Sequence, residues 1–341
     1  MGEDQRSENQ TSSKSPSEAS LESLFSMDLT WAEQILLAKY SKHRRRPPHP
    51  PLAMLKALIY QRLRQIPSWR QLAQTIRSDK NLALRLGFQR PPSHYSFSDF
   101  TKKVGEEAFN EIFYALVDRL RMLMPDLGKI VAVDSTQVDA YSKLPREGFR
   151  GTDPDAAFGF TRKVLRKRFW TYGYKLHVTC DARHDIPLSF EISPANRSDM
   201  TSLYDQLKLL AAYGNRPRVL TADAGYDSKM NIFRCIKYGI KPVIALNPRR
   251  SKNKQGRAAD NLLPIKRGSA KWNEYYSMRS AIERVFARLK EELGLKDLKL
   301  RTISRVSVHF ALCLITMLMI TLASFSIGRS ELYRSLGPWR Y

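Results

Sequence analysis

Two periods of apolar spacing divide the chain. From Leu21 to about Met124 apolar residues recur at helical intervals, interrupted by proline and glycine. From Lys129 to about Leu246 they gather into short β-branched runs, and from Tyr276 the helical period returns. The first region predicts a helix over 21–46, stopped by Pro47 and Pro48, then helices over 52–65, 68–77 and 81–86, broken off by Gly87 and Pro91-Pro92. A long amphipathic helix follows, from about Ser96 to Met124. The second region predicts strands at 130–134, 172–180, 186–192, 218–223 and 242–246, helices at 199–213 and 228–238, and a hairpin turn at Asp181-Ala-Arg-His-Asp185. Residues 146–169, rich in Gly and Arg, read as a surface loop. This order predicts an α/β fold, a mixed sheet flanked by helices, preceded by an all-helical unit. The expected divisions are a disordered tail over 1–20, a helical region over 21–125, the sheet domain over 126–328 with a basic insertion at 248–273, and a C-terminal tail over 329–341.

Two segments near the C-terminus carry the most pattern. In Tyr276-Ser-Met-Arg-Ser-Ala-Ile-Glu-Arg-Val-Phe-Ala-Arg-Leu-Lys290 the residues Met278, Ile282, Val285, Phe286 and Leu289 share one face, and Gly294 ends the run. At about 100° per residue that face covers roughly 180–280° from Tyr276, and Arg279, Lys290, Glu283 and Tyr276 line its edge within roughly 60° of arc. A carboxylate flanked by cations there suits a metal ion that is itself bound to phosphate. The competing reading is a solvated face with an i,i+4 Arg–Glu pair. The next segment, Val306 to Phe325, has no formal charge and is long enough to cross a bilayer. Its His309, Thr316 and Thr321, and its place directly after the striped helix, favour a buried core helix and no membrane partner.

Charge changes the picture further. There are 57 Lys and Arg against 33 Asp and Glu, a net of +24, which implies a polyanionic partner. Residues 41–104 hold 14 of the basic and 2 of the acidic residues, half the excess in under a fifth of the length. Short helices with that charge resemble a helix-turn-helix bundle, with Arg44, Arg45, Arg46 and Arg70 as candidate contacts to double-stranded DNA. Cys180, Cys235 and Cys313 are scattered, with no CxxC, so neither a disulfide framework nor a structural zinc site is expected and a reducing cytoplasm fits.

Asp134 and Asp223 each close a predicted buried strand, and neighbouring strands of an α/β sheet open their C-terminal ends into one crevice. Mg²⁺ takes hard oxygen ligands and keeps several waters, so two or three carboxylates beside a substrate phosphate suffice. Glu283 is the candidate third acid. Asp139, Asp181, Asp185, Asp199 and Asp227 compete, and aspartate at a strand end is commonly a turn or cap residue.

With these residues in view the chain resembles the DDE transposases of prokaryotic insertion sequences, in particular the group with Tyr-x2-Arg-x3-Glu-x6-Lys. Tyr276, Arg279, Glu283 and Lys290 stand at that spacing. Val131-Ala-Val-Asp-Ser-Thr136 and Thr221-Ala-Asp-Ala-Gly-Tyr-Asp227 are similar to the first- and second-acid contexts, and Gly173-Tyr-Lys-Leu-His177 and Pro194-Ala-Asn-Arg-Ser-Asp199 to segments between them. The likeness spans roughly 125–325. It implies a ribonuclease H-like fold, Mg²⁺ (or Mn²⁺) as two ions, and hydrolysis followed by strand transfer at transposon ends. It also implies Asp134, Asp223 and Glu283 as catalytic metal ligands, Tyr276, Arg279 and Lys290 as DNA contacts, a homodimer pairing two terminal inverted repeats, and a place at the nucleoid. Asn196 and Asp199 carry over only as neighbours of the site. Asp223 and Glu283 lie 60 residues apart, which leaves little room for the long insertion that some relatives have before the third acid. The alternatives are a ribonuclease H-like nuclease without strand transfer and a DNA-binding regulator derived from a transposase.

Overall fold

The computed structural model describes residues 16–40, 49–146, 149, 151–164, 167–247 and 260–339. The helical period of the first region produces α1 (Pro16–Ser26), α2 (Thr30–Lys39), α3 (Pro51–Leu63), α4 (Trp69–Ser78), α5 (Lys80–Leu86) and α6 (His94–Leu123). The single helix expected over 21–46 is two, because Asp28 accepts hydrogen bonds from the Thr30 N–H and hydroxyl and turns the chain there. The first of them begins at Pro16, inside the stretch assigned to the tail. Ser68 caps α4 and Asp79 caps α5, each accepting from a backbone N–H. Gly87, at φ +95°, closes α5 in the left-handed conformation that glycine adopts without strain.

The sheet strands are β1 (Ile130–Asp139), β2 (Ala157–Val164), β3 (Lys167–Asp181), β4 (Pro187–Pro194), β5 (Val219–Ala222) and β6 (Lys241–Ile244). β1 pairs antiparallel with β3, and β3 with β4. β1 pairs parallel with β5, and β5 with β6. The turn from β3 to β4 is the predicted one: Asp181 is buried and accepts from the N–H groups of Gly128, Arg183 and His184. The loop expected over 146–169 is corrected from Ala157 onward, since β2 pairs antiparallel with the N-terminal half of β3 and extends the sheet as a hairpin.

Helices α7 (Asp199–Ala212) and α8 (Lys229–Lys237) follow, then α9 (Ala270–Ser277), α10 (Ser280–Ala287) and α11 (Ile303–Ser326). The apolar segment 306–325 is the body of α11, and nearly every residue in it is buried. It packs on α3, α6 and β4, so its apolar surface faces protein. One continuous core therefore runs from the N-terminal helices through α11 to the sheet. The last residues join it: Leu336 and Trp339 are buried, and the turn at Gly337–Trp339 contacts α1. The stretch expected to be a C-terminal tail is thus docked as far as Trp339.

Candidate active site

The parallel pairing of β1 with β5 fixes the centre of the site. Their register runs from Ile130 opposite Val219 to Val133 opposite Ala222. Asp134 and Asp223 are each the next residue, so they stand side by side on one face of the sheet, on strands about 4.8 Å apart. The sequence places Asp134 at a strand end, whereas β1 continues to Asp139 on its β3 side. Beyond Val133, however, β1 has lost β5, and the Asp134 side chain there is mostly buried, 23% exposed. The Asp134 carboxylate accepts from the Ser135 N–H at 2.8 Å, and Asp223 accepts from the Gly225 N–H at 2.8 Å. Asp223 is thus also the cap of the turn Ala224–Tyr226. Burial pushes the pKa of Asp134 up to about 7; Asp223 and Asp199 add to the rise, against the Ser135 N–H and Arg279.

Behind Asp134 lies a polar network that sequence reasoning missed, apart from Asp199 as a neighbour. Ser135 donates to Asp199 at 2.5 Å, and Lys175 donates to Asp199 at 3.2 Å and to the Arg197 carbonyl at 2.8 Å. His177, wholly buried, lies 3.0 Å from Ser193 through Nε2 and 3.8 Å from Asp199 through Nδ1. Burial holds its pKa down at about 4, so the ring is neutral at pH 7. Lys175 and His177 alternate on β3 opposite Gln137 and Ser135, and that alternation was the signal in Gly173-Tyr-Lys-Leu-His177.

The third element departs from one regular helix. Met278, Arg279, Ala281 and Ile282 donate to carbonyls three residues back, which tightens the chain between α9 and α10. Arg288–Glu292 then widens into a π turn, and Leu295 donates to the Leu289 carbonyl. Ile282, Val285, Phe286, Leu289 and Leu293 are buried as the pattern predicts. α10 crosses β1 and β3, bringing Arg279 to Asp134. The Arg279 guanidinium donates to Glu283 at 2.5 Å and lies 3.7 Å from Asp134, so one cation links the first and third candidate acids. Tyr276 stacks on Trp272 with centroids 4.5 Å apart, and Arg279 lies 5.9 Å from its ring. Lys290, carried onto the π turn, is half-buried; burial and Lys296 lower its pKa, against Glu291 and Asp139.

The competing acids separate cleanly. Asp185 pairs with Arg284 at 2.7 Å, Asp227 with Arg267 at 2.8 Å, and Asp181 holds its turn. Asp139 is exposed at the end of β1. Only Asp199 stays with Asp134 and Asp223. Among the described residues no three His, Cys, Asp or Glu side chains come together closely enough to hold a metal ion, and Glu283 accepts from Arg279. Of the basic candidates, Arg70 is exposed on the first turn of α4, while Arg44, Arg45 and Arg46, and residues 248–259 of the basic insertion, lie outside the described residues.

A mixed sheet of this order, with paired aspartates at the β1–β5 crevice and helices on its faces, is of the ribonuclease H-like class. The chain belongs to the transposase DDE domain family, which matches residues 125–319, and a second transposase domain family, DUF772, matches residues 8–103. It is a DNA transposase of the insertion-sequence type. Among solved structures, the piggyBac transposase synaptic complex with hairpin DNA is 11% identical, covering 94% of this chain and 79% of that one at a TM-score of 0.43. A pre-cleavage Mos1 transpososome is 12% identical, covering 77% and 83% at a TM-score of 0.22. The Mos1 mariner paired-end complex with Mn is 15% identical, covering 78% and 84% at 0.21. No curated protein matches the sequence.

Proposed function

We propose that Asp134, Asp223 and Glu283 are the catalytic acids of this transposase and hold Mg²⁺ or Mn²⁺, as two ions, at a transposon end. The observation that carries the reading is the register of β1 and β5, which sets Asp134 beside Asp223 while burial and neighbouring carboxylates raise Asp134 to about 7. A half-buried group of hard oxygen donors with excess negative charge fits a divalent cation. When bound, the ions polarise the attacking oxygen and offset charge developing at phosphorus. The chain's own residues do the rest. The sheet and the Ser135 and Gly225 N–H groups fix the two aspartates, and Glu283 approaches from α10. Arg279, which spans Asp134 and Glu283, exchanges these carboxylates for phosphate oxygens, which a guanidinium can bind in a bidentate fork. Tyr276 and Lys290 face the same duplex on either side, and Arg70 with Arg44, Arg45 and Arg46 contacts it from the helical region.

The reaction is hydrolysis at the element's terminus followed by attack of the freed 3′-OH on target DNA, carried out at the nucleoid by a homodimer that pairs two terminal repeats. The test uses the purified chain, Mg²⁺, a plasmid carrying this reading frame with its flanking DNA, and a second plasmid as target. Wild type is expected to nick at the flanks and join ends to the target. Asp134→Asn is expected to remove both activities and leave DNA binding nearly intact. Nicking without joined product would favour a nuclease, and nicking by Asp134→Asn would overturn the site.

A further inference from the structure

The hairpin of β2 and the N-terminal half of β3 has no part in the site described above. Its register sets Phe158 opposite Tyr172 and Phe160 opposite Trp170, so four rings share one face. Phe158 and Tyr172 have centroids 4.9 Å apart, and Phe160 meets Trp170 edge to face at 5.7 Å. Tyr172 is buried and donates to the Asp153 carbonyl at 3.0 Å. Phe158, Phe160 and Trp170 are 46%, 46% and 55% exposed, an aromatic patch that the described residues leave open. Farther out, the two strands carry Arg162 and Lys163 on β2, Lys167 and Arg168 on β3. From Ala157 to Gly173 there is no acid.

The root of the hairpin is clamped. Gln137, three residues after Asp134 on β1, donates to the Phe160 carbonyl at 3.1 Å. A Cβ on Gly159 would lie 2.2 Å from the Ala195 carbonyl oxygen, and one on Gly173 2.1 Å from that of Val138. Glycine at both positions lets the strands close on their neighbours. Val178 is the register partner of Asp134, and Trp170 precedes it by eight residues on β3. At about 3.3 Å per residue the exposed rings stand roughly 26 Å along the strand from the acids. That is less than one duplex turn of about 34 Å.

We propose that this hairpin is a second DNA-contact element, which lies along the duplex leading into the site. This rests on the reading of the chain as an end-binding transposase. The rings meet sugars and base edges in a groove, and the strand cations meet phosphates on its rim. A two-stranded ribbon fits the major groove, about 12 Å wide. Charge favours DNA over a second copy, because an isologous contact would bring two acid-free, basic hairpins together.

Binding of a mixed-sequence duplex roughly three turns long, measured across a salt series, tests the proposal with the full chain. Replacing Arg162, Lys163, Lys167 and Arg168 by Ser should lower the slope of log affinity against log salt by about 3 to 4. Phe160→Ala combined with Trp170→Ala should weaken binding about tenfold at fixed salt. Phe160 and Trp170 are exposed, and matching melting curves confirm that the variants fold. Unchanged slope and affinity beside normal wild-type binding would overturn the hairpin's role, while the transposase reading stands on its own nicking test. Loss of self-association, or of binding to anionic vesicles, with unchanged duplex affinity would assign the rings to another partner and overturn it equally. A wild-type chain that binds no duplex would remove both readings.

Discussion

At the scale of single residues, Asp134 and Arg279 explain each other. A carboxylate whose folded pKa lies near 7, against an ordinary 3.8, holds its proton more tightly folded than unfolded. Between about pH 4 and pH 7 the native state therefore binds more protons, and stability falls as pH rises through that window. Without divalent ions, Asp134→Asn should leave the melting temperature near wild type at pH 4 and raise it above wild type at pH 8. Equal melting curves at both values would show that the carboxylate is not strained. Arg279 relieves part of that strain and restrains Glu283. In Arg279→Ala, Mn²⁺ should protect against thermal unfolding at least as well as in wild type, while DNA cleavage falls about tenfold or more, the loss of one charge-assisted contact worth about 1.5–3 kcal/mol. Cleavage at the wild-type rate would remove Arg279 from the DNA interface. His177 shows how burial can silence a group: held near pKa 4, it accepts or donates as a neutral ring and takes no part in a titration near pH 7.

At the scale of elements, positions that looked featureless in sequence decide the geometry. Gly173 matters because β1 passes so close that a methyl group would strike the Val138 carbonyl. Gly173→Ala should destabilise the protein by about 1–3 kcal/mol, as overpacking does, and push β1 away from β3. A denaturant midpoint equal to wild type would show that the strands can part freely. The striped helix was legible as a buried face with a polar edge, since its spacing survives in Ile282, Val285, Phe286 and Leu289. Its tightening at 278–282 and its π turn were not legible, because both depend on which carbonyl each N–H finds rather than on residue type. The β2–β3 hairpin was hidden for a related reason. Its outer half is a run of cations, which composition assigns to a loop, and only pairing with the aromatic strand makes it a strand. The two aspartates were legible as strand-associated acids, yet their juxtaposition rests on a parallel register between residues about 90 apart in sequence.

At the scale of the whole molecule, α11 joins the parts. It lies against α6 and α3 on one side and β4 on another, so the helical region and the sheet share one core. A fragment beginning at residue 126 should lose the covering of α11 and fail to unfold cooperatively. A sharp melting transition for that fragment would show that the core divides. The net charge of +24 has the sign that a DNA partner requires. The central claim, that the carboxylates of Asp134 and Asp223 bind the metal ions of a phosphoryl-transfer site, is tested most directly by changing the ligand atom. In Asp134→Cys and Asp223→Cys a soft thiolate replaces a hard carboxylate, which disfavours Mg²⁺ more than Mn²⁺. Each variant should be inactive in end cleavage with Mg²⁺ and regain part of its activity with Mn²⁺. Mg²⁺-dependent cleavage at the wild-type rate in either variant would contradict the account.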